Sequence, residues 1–470
     1  MSFTLRPYQS KIVDEAREAV RAGHRSIIIV LPTGGGKTAI SASIIGSAVQ
    51  RGSNAWFINH RRELLRQSSK TFMKVGIDHG IVGAGFTPAL RAPAQICGIQ
   101  TLVNRVDDMA APRLIFWDEC HHVAAAGWAK IFALYPDAIH IGVTATPIRL
   151  DGAGLGDWFS HMIEGPSART LIEDGFLSRY RLFGAPQQID LSSAKRKRTG
   201  DFVADAIAEI VDRPQITGDA IEHYQRHCPG APNIVFAANV QHSMHIVEQY
   251  NAAGYQAVHL DGTTPQAVRD AALRDFERGI IKVLSNVDLF GEGFDVPGIV
   301  AVTQLRPTQS TGLDMQQKGR GLRTAPGKEF AYMFDHVGNW QRHGLPDEDR
   351  VWNLDPKVKL ERAANDDEED VKIRQCTECF GVHAPAPACP HCGHVYEVKA
   401  RQIEQVEGEL VEIDPRVVMM QRKREQAQAQ SLQELIDYGK AKGMKNPHGW
   451  AKHVLAARKS KSENPMMRYG

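Results

Sequence analysis

Short apolar runs punctuate the chain without alternating with polar residues: Ser26-Ile27-Ile28-Ile29-Val30-Leu31, Ala55-Trp56-Phe57-Ile58, Leu114-Ile115-Phe116-Trp117 and Ile139-His140-Ile141-Gly142-Val143. A strand reads this way when both of its faces are covered and neither meets water. Longer stretches with helical spacing lie between the runs, for example Thr38 to Arg51 and Glu63 to Val75. Residues 1–170 therefore predict strand-helix units around a parallel sheet. The rhythm returns with a helix over Ala220 to Arg226, strands at Asn233 to Ala237 and Ala257 to Leu260, a helix over Pro265 to Glu277, and a strand at Ile280 to Leu284. That is a second α/β domain over 218–345, with 171–217 as the connector. The connector carries Lys195-Arg196-Lys197-Arg198, a run that reads either as solvated surface or as a phosphate contact.

After residue 345 the pattern changes. Residues 346–372 form an acidic linker around Asn365-Asp366-Asp367-Glu368-Glu369-Asp370, too polar to pack. Four cysteines then fall within 373–398, and 399–470 is a basic helical tail with an amphipathic turn at Leu432, Leu435 and Ile436. With 43% hydrophobic and 23% charged residues in 470, the chain has the profile of a soluble globular protein of two or three compact units. No apolar stretch is long enough to span a bilayer, and Met1 to Val20 is charged and amphipathic, so the expected location is cytoplasmic, without membrane contact. The formal net charge of +2 decides nothing about partners. Of the seven cysteines, Cys97, Cys120 and Cys228 are scattered while four cluster, which argues for one metal site in a reducing compartment and against a disulfide framework.

The chemistry begins at Leu31-Pro32-Thr33-Gly34-Gly35-Gly36-Lys37-Thr38, which follows an apolar strand and opens a helix. In that context Thr33, Gly34, Gly35 and Gly36 read as a phosphate-binding loop whose backbone N–H groups turn inward. Lys37 then neutralises terminal phosphate oxygens and Thr38 holds Mg²⁺. Leu31 stands where the general pattern has its first glycine. Asp118 and Glu119 end the Leu114 to Trp117 strand, at the carboxyl edge where open α/β sheets bind ligands. Asp118 suits the Mg²⁺ shell and Glu119 the orientation or deprotonation of an attacking water.

With the loop and Asp118-Glu119-Cys120-His121 in hand, the chain resembles superfamily 2 helicases of the DEAD/DEAH-box type, more particularly bacterial RadD-like repair helicases and their phage relatives. The resemblance covers residues 3–345 and, more weakly, the cysteines and tail. It implies an α/β protein of two tandem RecA-like parallel-sheet domains, a P-loop NTPase, followed by a small zinc ribbon and a helical tail. Leu5-Arg6-Pro7-Tyr8-Gln9 looks like the family's adenine-recognition motif, which assigns Arg6 and Gln9 to the base of ATP. His60-Arg61-Arg62 and Gly98-Ile99-Gln100-Thr101 look like motifs that touch a nucleic-acid backbone, giving Arg61, Arg62, Gln100 and Thr101 as phosphate donors. Thr144-Ala145-Thr146 resembles the motif that couples ATP state to the strand. In Asn286-Val287-Asp288-Leu289-Phe290-Gly291-Glu292-Gly293-Phe294-Asp295 the family's fifth motif is recognisable, with Gly293 and Asp295 near the nucleotide and Asn286-Val287 replacing the usual Thr-Asp. Gln316-Gln317-Lys318-Gly319-Arg320-Gly321-Leu322-Arg323 matches the sixth, which implies that Arg320 and Arg323 reach the γ-phosphate from the opposite lobe.

Cys376, Cys379, Cys389 and Cys392 form two CxxC pairs, the tetrahedral thiolate set that Zn²⁺ takes, with a redox pair as the alternative. No open position is implied, so the zinc reads as structural. A protein partner can be held through this ribbon or the tail, whose Gly443 to Trp450 segment resembles a small terminal element of the same helicases. The expected function is an ATP-driven helicase or translocase on DNA, engaging a single-stranded tract, in repair or replication. The alternatives are the motor subunit of a restriction-type system, an RNA helicase, or a nucleic-acid-binding scaffold without turnover.

Overall fold

A computed structural model describes residues 4–148, 154–184, 191, 194–196, 201–212, 214–290, 298–350, 352–355, 374–375, 382–383, 387–388, 393–395, 411–442 and 446–463. The first lobe is a seven-stranded, wholly parallel sheet of β1 (Ser26–Val30), β2 (Ala55–Asn59), β3 (His79–Val82), β4 (Ala94–Gly98), β5 (Leu114–Asp118), β6 (Ile139–Thr144) and β7 (His161–Glu164), in the order β3-β4-β2-β5-β6-β1-β7. Its helices are α1 (Pro7–Arg21), α2 (Lys37–Gln50), α3 (Arg62–Lys74), α4 (Ile99–Leu102), α5 (Ala126–Leu134) and α6 (Ala168–Glu173).

The unalternating runs resolve into two cores. Ile27, Ile29, Phe57, Phe116 and Val143 pack on the face covered by α1, α2 and α3, while Ile28, Trp56, Ile58, Ile115 and Trp117 pack on the other, under α5. Successive side chains of a strand point to opposite faces, so a strand covered twice must be apolar at every position. Each fully buried side chain of this size stabilises the fold by roughly 1.5–3 kcal/mol.

The second lobe repeats the plan with β8 (Arg179–Gly184), β9 (Asn233–Phe236), β10 (Ala257–Leu260), β11 (Val283–Asn286), β12 (Ala301–Gln304) and β13 (Phe330–Asp335). Its helices are α7 (Ala204–Val211), α8 (Pro214–His227), α9 (Val240–Ala252), α10 (Gln266–Glu277), α11 (Thr311–Gly321) and α12 (Asn339–His343). The strand pairs β14 (Arg374–Gln375) and β15 (Val382–His383) follow, then β16 (Val411–Ile413), α13 (Pro415–Gln428), α14 (Leu432–Ala441) and α15 (Pro447–Glu463). The second sheet runs β10-β11-β9-β12-β13-β8-β16, parallel except for β16.

Three expectations are corrected here. The segment expected to be a plain connector supplies β8, which pairs with β13 along its whole length. The tail, expected to be helical, also supplies β16, which closes the sheet edge by antiparallel pairing with β8. The strand expected from Ile280 begins at Val283, and Ile280 is exposed. A third apolar cluster joins what the sequence reading kept apart: Leu171, Leu177, Leu322, Trp340 and Leu345, with Tyr8 and Phe176 from one side and Val418 and Met419 of α13 from another. In the tail, Leu435 and Ile436 are buried and Leu432 is exposed, and Ser431 and Glu434 form a capping box that starts α14. Gly293, Asp295, Lys197, Arg198, the acidic run and Cys376, Cys379, Cys389 and Cys392 lie outside the described residues.

Candidate nucleotide site between the lobes

β1 delivers the chain into a turn at Thr33-Gly34-Gly35-Gly36, and α2 begins at Lys37. Gly34 and Gly36 hold φ of +86° and +87°, a region that L side chains rarely adopt. Gly36 also abuts the Gln9 amide and Gly35 abuts Leu31, so a side chain at either position would collide. The loop needs bare backbone for both reasons.

β5, β6 and β1 are neighbours in the sheet, with Asp118 opposite Val143 and Val30 opposite Thr144. Their carboxyl ends therefore sit side by side. Lys37 Nζ lies 3.4 Å from Glu119 Oε1, and both side chains are largely buried. Glu119 itself has φ of 50°, a left-handed conformation costly for a residue with a side chain. Its Oε2 lies 3.5 Å from Thr144 Oγ1 and 3.6 Å from His121 Nδ1. Thr144 Oγ1 in turn accepts from the Thr146 N–H at 3.1 Å. Burial, and next the charge of Glu119, push the Asp118 carboxyl up to about 7 against the pull of Lys37 and His60. Two carboxylates crowded in this way are a donor set that a divalent cation keeps charged, and Thr38 follows on the first turn of α2. The residues present fit Mg²⁺.

Arg6 and Gln9 stand against the same loop. The Arg6 N–H donates to Gln9 Oε1 at 2.9 Å, and Gln9 Nε2 donates to the Gly35 carbonyl at 3.2 Å. Tyr8 donates to that carbonyl at 2.8 Å. The Arg6 guanidinium lies 4.8 Å from the Phe176 ring centre. Nothing in the local sequence marks Phe176, because it arrives from a different segment.

In the second lobe, Ser310 caps α11 by accepting from the Leu313 N–H at 3.2 Å. Lys318 is fully buried, donates to Asp314 at 2.8 Å, and Asp314 accepts from Gln304 at 3.0 Å. Past the helix end, Lys328 donates to the carbonyls of Ile299 at 2.7 Å, Arg323 at 2.8 Å and Gly321. Ser178 donates from its N–H to the Leu322 carbonyl at 2.7 Å and from its hydroxyl to that of Arg323 at 3.1 Å. These bonds fix the backbone that carries Arg320 and Arg323, and neither Lys328 nor Ser178 was expected from the sequence.

The two lobes face each other at this point. A Cβ on Gly319 would lie 2.5 Å from Thr33 Cβ, and one on Gly34 would lie 3.4 Å from Arg323 Cγ. The phosphate loop and the helix of the sixth motif are thus in direct apposition.

β2 and β4 are also neighbours, with Asn59 opposite Gly98, so Arg61 and Arg62 start α3 beside Gln100 and Thr101 on α4. Arg61 donates to the second-lobe carbonyls of Asp288 at 3.1 Å and Leu289 at 2.9 Å. Asp288, at φ of 53°, is the other left-handed residue with a side chain among those described. Arg62, exposed, lies 5.7 Å from the Phe86 ring centre.

Comparison with known proteins bears on the family and the fold. The model of the type III restriction enzyme res subunit matches residues 2–149, and that of the helicase conserved C-terminal domain matches 219–325. A 51.5 kDa protein of a Lactococcus phage (isolate 7-9) is 33% identical over 391 residues, covering 82% of each chain. The chain belongs to the superfamily 2 helicases. IRC3 of Saccharomyces cerevisiae, which carries the name ATP-dependent helicase, is 26% identical over 355 residues, 71% of this chain and 51% of its own length. Among solved structures, the ATP-dependent Type ISP restriction-modification enzyme LlaBIII bound to DNA shares the fold with a TM-score of 0.53 at 16% identity, over 70% of this chain and 27% of that one. This helicase hydrolyses ATP. No helix among its described residues is long and apolar enough to cross a membrane.

Proposed function

We propose that this superfamily 2 helicase is a DNA-dependent translocase of the RadD-like kind, which hydrolyses ATP between its lobes to move along a single-stranded tract. The observation that carries the reading is the apposition of Thr33 and Gly34 with Gly319 and Arg323. In it, the N–H groups of Thr33 to Gly36 and the Lys37 ammonium cradle the triphosphate, while Arg6 and Gln9 hold the adenine. Thr38 and Asp118 hold Mg²⁺, which when bound draws charge from the phosphate oxygens. Glu119 orients the attacking water. Arg320 and Arg323 meet the charge that develops on the transferred phosphoryl group, and the family resemblance assigns Asp295 to the ribose and Gly293 to the nucleotide.

The Glu119, Thr144 and Thr146 contacts supply a path from hydrolysis to the strand, because Thr144 touches Glu119 and ends β6. Arg61, Arg62, Gln100 and Thr101 are the phosphate donors on the first lobe. Phosphate contacts bind without reading bases, which suits a motor that must move over any sequence.

Cys376, Cys379, Cys389 and Cys392 are assigned to a structural Zn²⁺. The support is that antiparallel pairs bracket each knuckle: Gln375 with Val382 around the first, and Ala388 with Val395 around the second. A ribbon needs antiparallel pairing of this kind on either side of each CxxC pair.

A second reading, the motor of a restriction-type system, is favoured by the matching res-subunit model over 2–149. The two diverge on partners, since a restriction motor acts with a nuclease or methyltransferase. The test measures ATP turnover alone and with single-stranded DNA, duplex DNA and RNA, with Lys37→Ala as control. Strong stimulation by single-stranded DNA, lost in the variant, is expected. Turnover indifferent to every polymer would overturn the motor.

A further inference from the structure

On the opposite side of the first lobe from the phosphate loop, the amino-terminal ends of β5 and β6 and the carboxyl-terminal ends of α1 and α2 enclose a pocket of about 750 Å³. That is within the range of roughly 300–1,000 Å³ typical of binding pockets. Its floor is aliphatic, made by Val13, Val20, Ile44, Ala48, Leu134 and Ile141. Leu134, at the end of α5, is 48% exposed.

The rim is basic. Arg17, Arg21, Arg25, Arg51 and Arg113 line the pocket, against Asp137 as the one carboxylate in the lining. Arg17 pairs with Asp14 at 2.8 Å, and Arg25 donates to the Asp137 carbonyl at 2.7 Å. Arg21, Arg51 and Arg113 are exposed, and they come from three separate segments of the chain. Five guanidinium groups around one apolar hollow is an arrangement that the ATP reaction does not use, since Lys37 and Glu119 lie at the other ends of α2 and β5.

We propose that this pocket is a docking site for an acidic peptide segment of a partner protein, in which carboxylates flank an aliphatic anchor. Charge complementarity selects the occupant. Guanidinium groups pair with carboxylates in a fork geometry, and the rim excess of positive charge steers an acidic segment toward it. The hollow floor takes the anchor, because an apolar side chain entering it removes its own apolar surface and that of the floor from water. A nucleic-acid strand fits less well. Its phosphates would be served by the rim, but the floor offers Tyr135 as its one aromatic surface for bases.

The experiment uses the full chain and fluorescence anisotropy of a fluorescein-labelled synthetic peptide with aspartates and glutamates around a Leu-Leu pair. Saturable binding is expected, weakened about tenfold or more in the triple variant Arg21→Glu, Arg51→Glu, Arg113→Glu. Ser47→Trp, which fills the hollow from α2 without touching the charges, is expected to weaken binding to a similar degree, as is replacing the peptide's Leu-Leu by Ser-Ser. ATP turnover, measured in parallel, stays at the level of the unaltered chain in both variants, so loss of the site is separable from failure of the motor. The proposal is overturned if the triple variant binds the peptide as well as the unaltered chain does. It is equally overturned if these arginines control the binding of a labelled single-stranded oligonucleotide while the peptide does not bind.

Discussion

Arg269 on α10 of the second lobe donates to Glu63 on α3 of the first at 2.5 Å, a bond that crosses the gap between the two sheets. Both side chains are about one-fifth exposed or less, and Arg66 of α3 and Asp270 of α10 form a second, more exposed pair at 3.5 Å. With the Arg61 bonds to Asp288 and Leu289, α3 is tied to the second lobe at three places. The helix that starts at two of the expected phosphate donors, Arg61 and Arg62, is thus also one that ties the lobes together.

Breaking that tie should cost closure more than folding. A partly exposed pair is worth about 1 kcal/mol at most, which corresponds to up to about fivefold in an equilibrium between open and closed lobes. Arg269→Ala is therefore expected to lower ATP turnover by up to about fivefold while the melting temperature hardly moves. Turnover identical to that of the unaltered chain would remove the bond from the closure mechanism.

On the proposed mechanism, substituting the arginines of the sixth motif is expected to change rate and leave nucleotide affinity largely in place. Arg320→Ala is expected to reduce stimulated turnover by about 10³ or more, the effect of removing an arginine that meets developing phosphoryl charge. A fluorescent ATP analogue should still bind it. Lys37→Ala, by contrast, should lose binding and turnover together. An Arg320→Ala enzyme that hydrolyses ATP at the normal rate would refute the role assigned to the second lobe.

Acid should weaken the second lobe through its buried histidines. His343 lies 2.8 Å through Nε2 from the Thr308 carbonyl and 3.2 Å through Nδ1 from Thr311 Oγ1. Burial holds it down to about 4, with Asp314 and the Thr308 carbonyl opposing and Lys318 and Arg342 adding to the shift. Arg350, which donates to the His343 carbonyl, is a further cation beside it. Below the unfolded value of about 6.5 the unfolded chain takes up a proton that the folded chain does not, so stability falls as pH drops from about 6.5 toward 4. At about 1.4 kcal/mol per pH unit, the loss from this residue is on the order of 3 kcal/mol. Urea unfolding at pH 7.5 and pH 5 should show the decline, and His343→Gln should flatten it. An equal slope in that variant would assign the effect elsewhere.

Removal of zinc should unfold a local unit and spare the ATP site. One Zn²⁺ per chain is expected on elemental analysis, released by a thiol-reactive mercurial with colorimetric detection. Cys389→Ser should abolish the bound metal while nucleotide binding persists. A chain that carries no zinc when purified without chelators would end the ribbon assignment.

Much of this architecture was legible because it rests on local pattern. Double burial of a central strand forces an apolar residue at every position, so β1, β2, β5 and β6 announced themselves, as did the glycines that the phosphate loop needs. The strands β3, β7 and β16 lie at or beside sheet edges, are three or four residues long, and carry mixed polarity, so they left no such mark.

By itself the chain's order of residues determined two parallel-sheet lobes, the loop at Thr33 to Lys37, the carboxylates at the end of β5 and the arginines at and just past the end of α11. Only the tertiary structure decided that Thr33 meets Gly319, that Lys328 and Ser178 grip the backbone of Arg323, and that Arg61 reaches carbonyls on the other lobe. Elements are set by forces acting over a few neighbouring residues. Contacts between residues far apart depend on how two finished surfaces pack, which no short stretch of chain encodes.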